Sequence, residues 1–104
     1  MNILLVCAGG ISTSFLVQNI KKAMKKKDVS GNVTAKPATA VSEVINEVDV
    51  VLIAPQALFL KEKIENICSG QKKPCGAIDS ALYGRMDGEG VFEYAEKLLN
   101  KEAL

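Results

Sequence analysis

Two short runs, NILLVC at residues 2–7 and DVVLIA at residues 49–54, are apolar at nearly every position. A strand with one wet face alternates apolar and polar residues. A run without that alternation needs cover on both faces, as an inner strand of a parallel sheet has. Stretches with helical spacing follow each run. Residues 12–26 place Leu16, Ile20, Ala23 and Met24 on one side and lysines on the other. Residues 57–69 carry Leu60, Ile64, Ile67 and Cys68 at the same period, with Gly70 suited to the C-terminal cap. Between these units, Ser30, Gly31 and Asn32 make a turn into a weaker strand, Val33 to Lys36, that stops at Pro37. Thr39 is placed to cap a helix containing Val41, Val44, Ile45 and Val48. A fourth short strand, CGAI at 75–78, leads into a long polar loop, DSALYGRMDGEG, and a last helix over 91–100 using Val91, Ala95, Leu98 and Leu99.

Strand and helix alternate four times (βαβαβαβα), which implies parallel strands joined by helical crossovers. The expected fold is α/β: a four-stranded parallel sheet, order 2-1-3-4, with helices on both faces. The chain has 104 residues, neither an internal repeat nor an interdomain linker, and reads as one domain over 1–104. Its 13 basic and 12 acidic residues leave a net charge of +1, unlike the basic surplus of a dedicated nucleic-acid binder. Lys21, Lys22, Lys25, Lys26 and Lys27 do cluster, but at a helix end where cations suit the dipole, and no aromatics are interleaved. No apolar run approaches the ~20 residues of a membrane span, so a cytoplasmic location without membrane insertion is expected. In a reducing compartment Cys68 reads as core, Cys75 as core or half-exposed, and no disulfide between them is expected. The sequence has no histidine, which removes a common zinc ligand and any Cys–His catalytic pair. No metal or cofactor is called for.

Ligands of open parallel sheets bind beyond the carboxyl ends of the strands. Cys7, Pro55-Gln56 and Asp79-Ser80 all fall at such ends. After Cys7 the chain reads Ala8, Gly9, Gly10, Ile11, Ser12, Thr13, Ser14. The glycines let several backbone N–H groups turn inward, the three hydroxyls add donors, and the next helix presents the positive end of its dipole. Together these describe an anion cradle, whose usual occupant is phosphate. A thiolate facing it can attack phosphorus and carry the group covalently. A buried core thiol ahead of a plain glycine turn is an equal reading of Cys7 alone. The run of three hydroxyls favours the cradle, since a structural turn needs one cap.

Low-molecular-weight tyrosine phosphatases and the related arsenate reductases, to which the expected fold is similar, use Cys, five residues, Arg, then Ser or Thr. Here Thr13 stands in the arginine position. Without that planar fork the loop can hold a phosphoryl group but stabilises a hydrolytic transition state less. Such a site suits a carrier. The motif C-x-x-G-x-S-T-S at residues 7–14, with DVVLIAPQ and IDSALYGRMDGEGV further on, resembles the enzyme IIB component, lactose/cellobiose type, of the bacterial phosphoenolpyruvate-dependent sugar phosphotransferase system. The resemblance runs nearly end to end. It implies a phosphotransferase in which Cys7 accepts a phosphoryl group from a phosphohistidine of enzyme IIA. Residues Ala8 to Ser14 wrap that group, and it passes to a sugar held by the membrane component enzyme IIC. It implies no cofactor. A small carrier that exposes one site to two partners is expected to be monomeric and only transiently at the membrane. The small phosphatase or arsenate reductase is the alternative, and a regulatory domain with an idle cysteine a third.

Four residues elsewhere are candidate contributors. Asp79 can be read as a proton donor to a leaving group, but more commonly as a turn or cap residue. Tyr83 lies on the same loop, and Arg85 can reach a phosphate or remain solvated. Gln56 can bond the loop backbone or simply end a strand. Leu58 and Phe59, near the same edge, are candidates for partner contact.

Overall fold

In the computed structural model, backbone is described for residues 1–7 and 13–103, and side chains for 1–7 and 14–100. The sheet has four parallel strands in the order β2-β1-β3-β4, as expected: β1 Asn2–Cys7, β2 Asn32–Pro37, β3 Val50–Ile53 and β4 Cys75–Ala77. The two apolar runs are the two inner strands. Ile3 to Val6 and Val50 to Ile53 are at most 1% exposed. The edge strands show the opposite pattern, and in β2 only Val33 is buried.

Successive residues of the inner strands face opposite sides. Ile3, Leu5, Cys7, Val50, Leu52 and Ala54 face a layer made by α1 (Thr13–Lys26) and α5 (Gly88–Ala103). That layer contributes Leu16, Val17, Ile20, Ala23, Met24, Val91, Phe92 and Ala95. Leu4, Val6, Val51 and Ile53 face a second layer, built on α2 (Val41–Val44) and α3 (Lys61–Gly70), with Val41, Ile45, Val48, Ala57, Ile64 and Cys68. Strand order explains the two layers. The crossover from β1 to β2 runs along one face, and the return from β2 past β1 to β3 must use the other. Each fully buried Ile, Leu or Phe contributes about 1.5–3 kcal/mol.

The second layer departs from the expected regular helices. Thr39 does not cap a helix. It lies inside a 3-10 turn, Ala38–Ala40, and α2 starts from Ala40 with no side-chain cap. Pro37, extended at φ −71° and ψ 162°, ends β2 and starts that turn directly. A second 3-10 turn, Ile45–Glu47, closes the unit. Likewise Pro55 opens a 3-10 turn, Pro55–Leu60, which delays α3 to Lys61 where a helix from residue 57 is expected. Proline suits the first position of such a turn because it has no N–H to leave unpaired.

Gly70 is the last residue of α3 rather than the residue beyond its cap. The left-handed position falls to Lys72 (φ 56°). There Lys72 N–H donates to Ser69 O (3.1 Å) and Lys73 N–H to Cys68 O (2.9 Å), the paired bonds of a Schellman close. α1 ends the same way at Asp28 (φ 57°), with Val29 N–H on Met24 O at 2.8 Å. The segment expected to be a long polar loop is mostly helical. α4 (Ser80–Gly84) occupies its first half, and α5 starts at Gly88 instead of 91.

Candidate functional site

Cys7 is the last residue of the inner strand β1, paired in register with Pro37. It is 7% exposed and belongs to the cluster facing α1 and α5. Its thiol donates to the carbonyl of Lys36 on β2, with S···O 3.9 Å. Ala54, beyond β3, Ile78, beyond β4, and Tyr83 of α4 are buried in the same cluster. Ala54 N–H donates to Val6 O (2.9 Å) and Ile78 N–H to Ile53 O (2.8 Å). These bonds hold the carboxyl ends of β1, β3 and β4 level. The thiol is therefore set at the middle of the sheet edge where parallel α/β folds take ligands.

Of the proposed phosphate loop, Ala8, Gly9, Gly10, Ile11 and Ser12 lie outside the described residues. Thr13 opens α1, and Ser14 is exposed in its first turn. α1 has 14 residues, no acidic side chain in its first turn and Lys25 and Lys26 in its last. The first feature leaves the positive end of its dipole uncancelled at the end that follows Cys7, and the lysines offset the negative end.

The other candidates divide. Asp79 is the N-cap of α4, its carboxylate accepting from Leu82 N–H at 3.4 Å. That is the cap reading. Tyr83 is 7% exposed and packs in the same core cluster as Cys7. Arg85 is exposed and pairs with Asp87 at 3.7 Å. Asp87 in turn accepts from Gly90 N–H (2.9 Å) at the start of α5. Gln56 is exposed in the 3-10 turn after β3. A bond from it to the phosphate loop would fall outside the described residues.

Three features of the site had no reading in the sequence. The Lys36 carbonyl is a backbone acceptor, which any residue type supplies. Phe15, in the first turn of α1, is 63% exposed. With Leu58 (44%) and Phe59 (76%), it makes up the large hydrophobic side chains exposed among the described residues. Asn19 of α1 donates through its side chain to Met86 O at 2.9 Å, tying the α4–α5 link to α1. Gly88 sits at that tie. A Cβ there would overlap the backbone of Asn19, so only glycine lets α5 start so close to α1.

No helix among the described residues is long and apolar enough to cross a membrane. A solved cellobiose-specific phosphotransferase IIB component from Borrelia burgdorferi superposes with a TM-score of 0.82 at 43% identity, covering 98% of this chain and 94% of its own. A lactose-specific IIB domain from Streptococcus pneumoniae gives the same TM-score at 14% identity over 93% and 95% of the two chains, a likeness of fold alone. The oligo-beta-mannoside-specific EIIB component of Bacillus subtilis is 32% identical over 97 residues, 93% of this chain and 94% of that one. The sequence profile described as PTS system, Lactose/Cellobiose specific IIB subunit, matches residues 2–94. The chain thus belongs to the lactose/cellobiose-specific IIB family and is a IIB component of a sugar phosphotransferase system.

Proposed function

We propose that the chain is a cysteine phosphocarrier, with Cys7 taking a phosphoryl group from a phosphohistidine of enzyme IIA and delivering it to a sugar bound by enzyme IIC. In the first step the Cys7 thiolate attacks phosphorus and the P–N bond to the donor imidazole breaks. In the second a sugar hydroxyl oxygen attacks phosphorus, the S–P bond breaks, and the thiolate is restored as the hydroxyl proton leaves. Residues 8–14 wrap the phosphoryl oxygens with backbone N–H groups and the hydroxyls of Ser12, Thr13 and Ser14, and the α1 dipole adds to the same field. The sugar belongs to the lactose, cellobiose, chitobiose and related β-glucoside class. Residues 1–104 form one domain that acts as a monomer in the cytoplasm, meeting the membrane only through enzyme IIC.

The observation that carries this reading is the position of Cys7. It ends an inner strand at the carboxyl edge, in the residue before the loop that enters the N-terminus of a long helix. The partner face is supported by topology. Phe15 follows β1, and Leu58 and Phe59 follow β3, so the three exposed side chains belong to turns at the same edge as the thiol. Transient partners bind through modest surfaces with a few aromatic anchors.

Incubation with labelled phosphoenolpyruvate, the general phosphotransferase proteins and the cognate enzyme IIA is the test. The wild-type chain should gain one acid-labile phosphoryl group and Cys7→Ser none, with its circular dichroism unchanged. Label retained in Cys7→Ser overturns the assignment. Turnover of p-nitrophenyl phosphate at rates typical of a phosphatase would favour the hydrolase instead.

A further inference from the structure

Cys68 and Cys75 stand at the other end of the sheet from Cys7. Cys75 opens β4, paired with Val51, and Cys68 lies in the last turn of α3 with 1% exposure. They are not joined by a disulfide. The chain between them is folded back by the Schellman close, in which Cys68 O accepts from both Gln71 N–H (3.1 Å) and Lys73 N–H (2.9 Å). That fold returns β4 to the flank of α3, and both side chains pack into the second-layer core. The two thiols are close enough to shift one another's acidity. Both also line a surface depression of about 420 Å³, bordered by Glu65, Ser69, Lys72 and Lys73.

The pair is therefore held together and open to small solutes on one side. The interaction of the two thiols lowers Cys68 and, with burial, raises Cys75, while the Glu65 charge raises both and Lys61 opposes it at Cys75. Cys68 is thus the sulfur with more thiolate character. Among the described residues no group of three or more metal-binding side chains occurs. Zinc, which takes four ligands in structural sites, is poorly served here. Two adjacent thiols without further ligands are suited to oxidation.

We propose that Cys68 and Cys75 form an oxidative modification site, converted by hydrogen peroxide into an intrachain disulfide that ties α3 to the edge strand β4. The Cys68 sulfur attacks one peroxide oxygen, the O–O bond breaks, and the departing hydroxide takes a proton to become water. The resulting sulfenic acid is attacked by the Cys75 sulfur, the S–S bond forms, and the sulfenic oxygen leaves as a second water. The two sulfurs lose two electrons and the two thiol protons end in the two waters. Thiol reductants reverse the step by exchange. The site is independent of Cys7 and does not rest on its role.

The test treats the wild-type chain with hydrogen peroxide, alkylates it in denaturant and maps tryptic peptides by mass spectrometry. Cleavage after Lys72 separates the two cysteines, so a disulfide appears as a linked peptide pair, two hydrogens lighter and released by dithiothreitol. The expected result is that linked pair, with Cys68 of Cys75→Ser carrying a sulfenic acid trapped by dimedone under the same peroxide dose. Both cysteines alkylated in the treated wild type would overturn the proposal. So would recovery of Cys75 as sulfinic or sulfonic acid, or in a disulfide between chains, or the absence of any dimedone adduct on Cys68 in Cys75→Ser.

Discussion

The two layers on either side of the sheet are built differently. One consists of the long uninterrupted helices α1 and α5, of 14 and 16 residues, packed against each other. The other is a sequence of short pieces, in which 3-10 turns flank α2 and precede α3. The sheet serves both equally, since the inner strands bury side chains to each. Cys7 faces the continuous layer, where Tyr83 and the α1 and α5 residues hold its surroundings in place. The interrupted layer begins, just after β3, with the turn that exposes Leu58 and Phe59. The difference assigns separate tasks. The continuous layer fixes the position of a reacting atom, and the interrupted one carries side chains outward where a partner can meet them.

That division can be broken most directly at Gly88. An added Cβ must push α5 away from the backbone of α1, and backbone cannot yield as a flexible side chain can. Gly88→Ala should lower unfolding free energy by about 2–3 kcal/mol, as overpacking does. Urea denaturation reads the loss. A variant as stable as wild type would mean that the two helices are not held as closely as the geometry requires.

Phe59 probes the other task. At 76% exposure its ring has little to lose on the folding side. Phe59→Ala should leave the urea midpoint unchanged and raise the KM for phosphorylated enzyme IIA about tenfold, the scale of an interface anchor. A stability loss above about 1 kcal/mol with unchanged KM would place Phe59 in the core and undo the contrast between the layers.

The same contrast sets how much of the molecule is legible in its residues. The inner strands announce themselves because burial on both faces leaves no polar position. α1 and α5 are legible because an uninterrupted helix keeps one period. Where Pro37 and Pro55 intervene, apolar spacing at Val41, Ile45 and Val48 persists while the backbone alternates between 3-10 and α geometry. Period alone cannot distinguish these, so Thr39 looked like a cap and residue 57 like a helix start. The segment after Asp79 looked like a loop because Gly84, Gly88 and Gly90 dominate it. Gly88 is there for close approach to α1 rather than for flexibility. At the site, the place of Cys7 follows from strand pattern and turn. The Lys36 carbonyl does not, because a backbone acceptor carries no residue signature.

Asp79 sharpens the comparison at the seam between strand β4 and the continuous layer. Its carboxylate caps α4, whose Tyr83 packs in the same core cluster as Cys7. Asp79→Ala should cost about 1 kcal/mol, the usual loss for an N-cap. Asp79→Asn, which keeps an oxygen acceptor, should restore most of it. Phosphoryl transfer rates measured at saturating donor should fall less than threefold in Asp79→Asn. A fall of a hundredfold or more there, with stability retained, would instead make the carboxyl group a proton donor in the reaction.

The smallest effects lie on the outer surface of the continuous layer, where Lys26, the last residue of α1, and Lys27 just beyond it reach to α5. Lys26 pairs with Glu89 at 3.0 Å and Lys27 with Glu93 at 3.4 Å, and distance alone would rank Lys26 first. Exposure reverses the order. Lys26 is 74% exposed and its partner 53%, so water and salt screen the pair. Lys27 is 39% exposed, and its ammonium also stands 5.5 Å from the ring centre of Phe92, a fully buried residue. A cation over an aromatic face adds about 0.5–1 kcal/mol, and the lysine stem covers apolar surface. Lys26→Ala should therefore change unfolding free energy by less than about 0.5 kcal/mol, and Lys27→Ala by about 1 kcal/mol. Raising the salt from 0.05 to 0.5 M should erase the first difference and leave most of the second, because screening weakens a surface ion pair more than contact with a buried ring. Equal losses at both positions, erased alike by salt, would show that α1 and α5 are joined at this end by charge and not by packing.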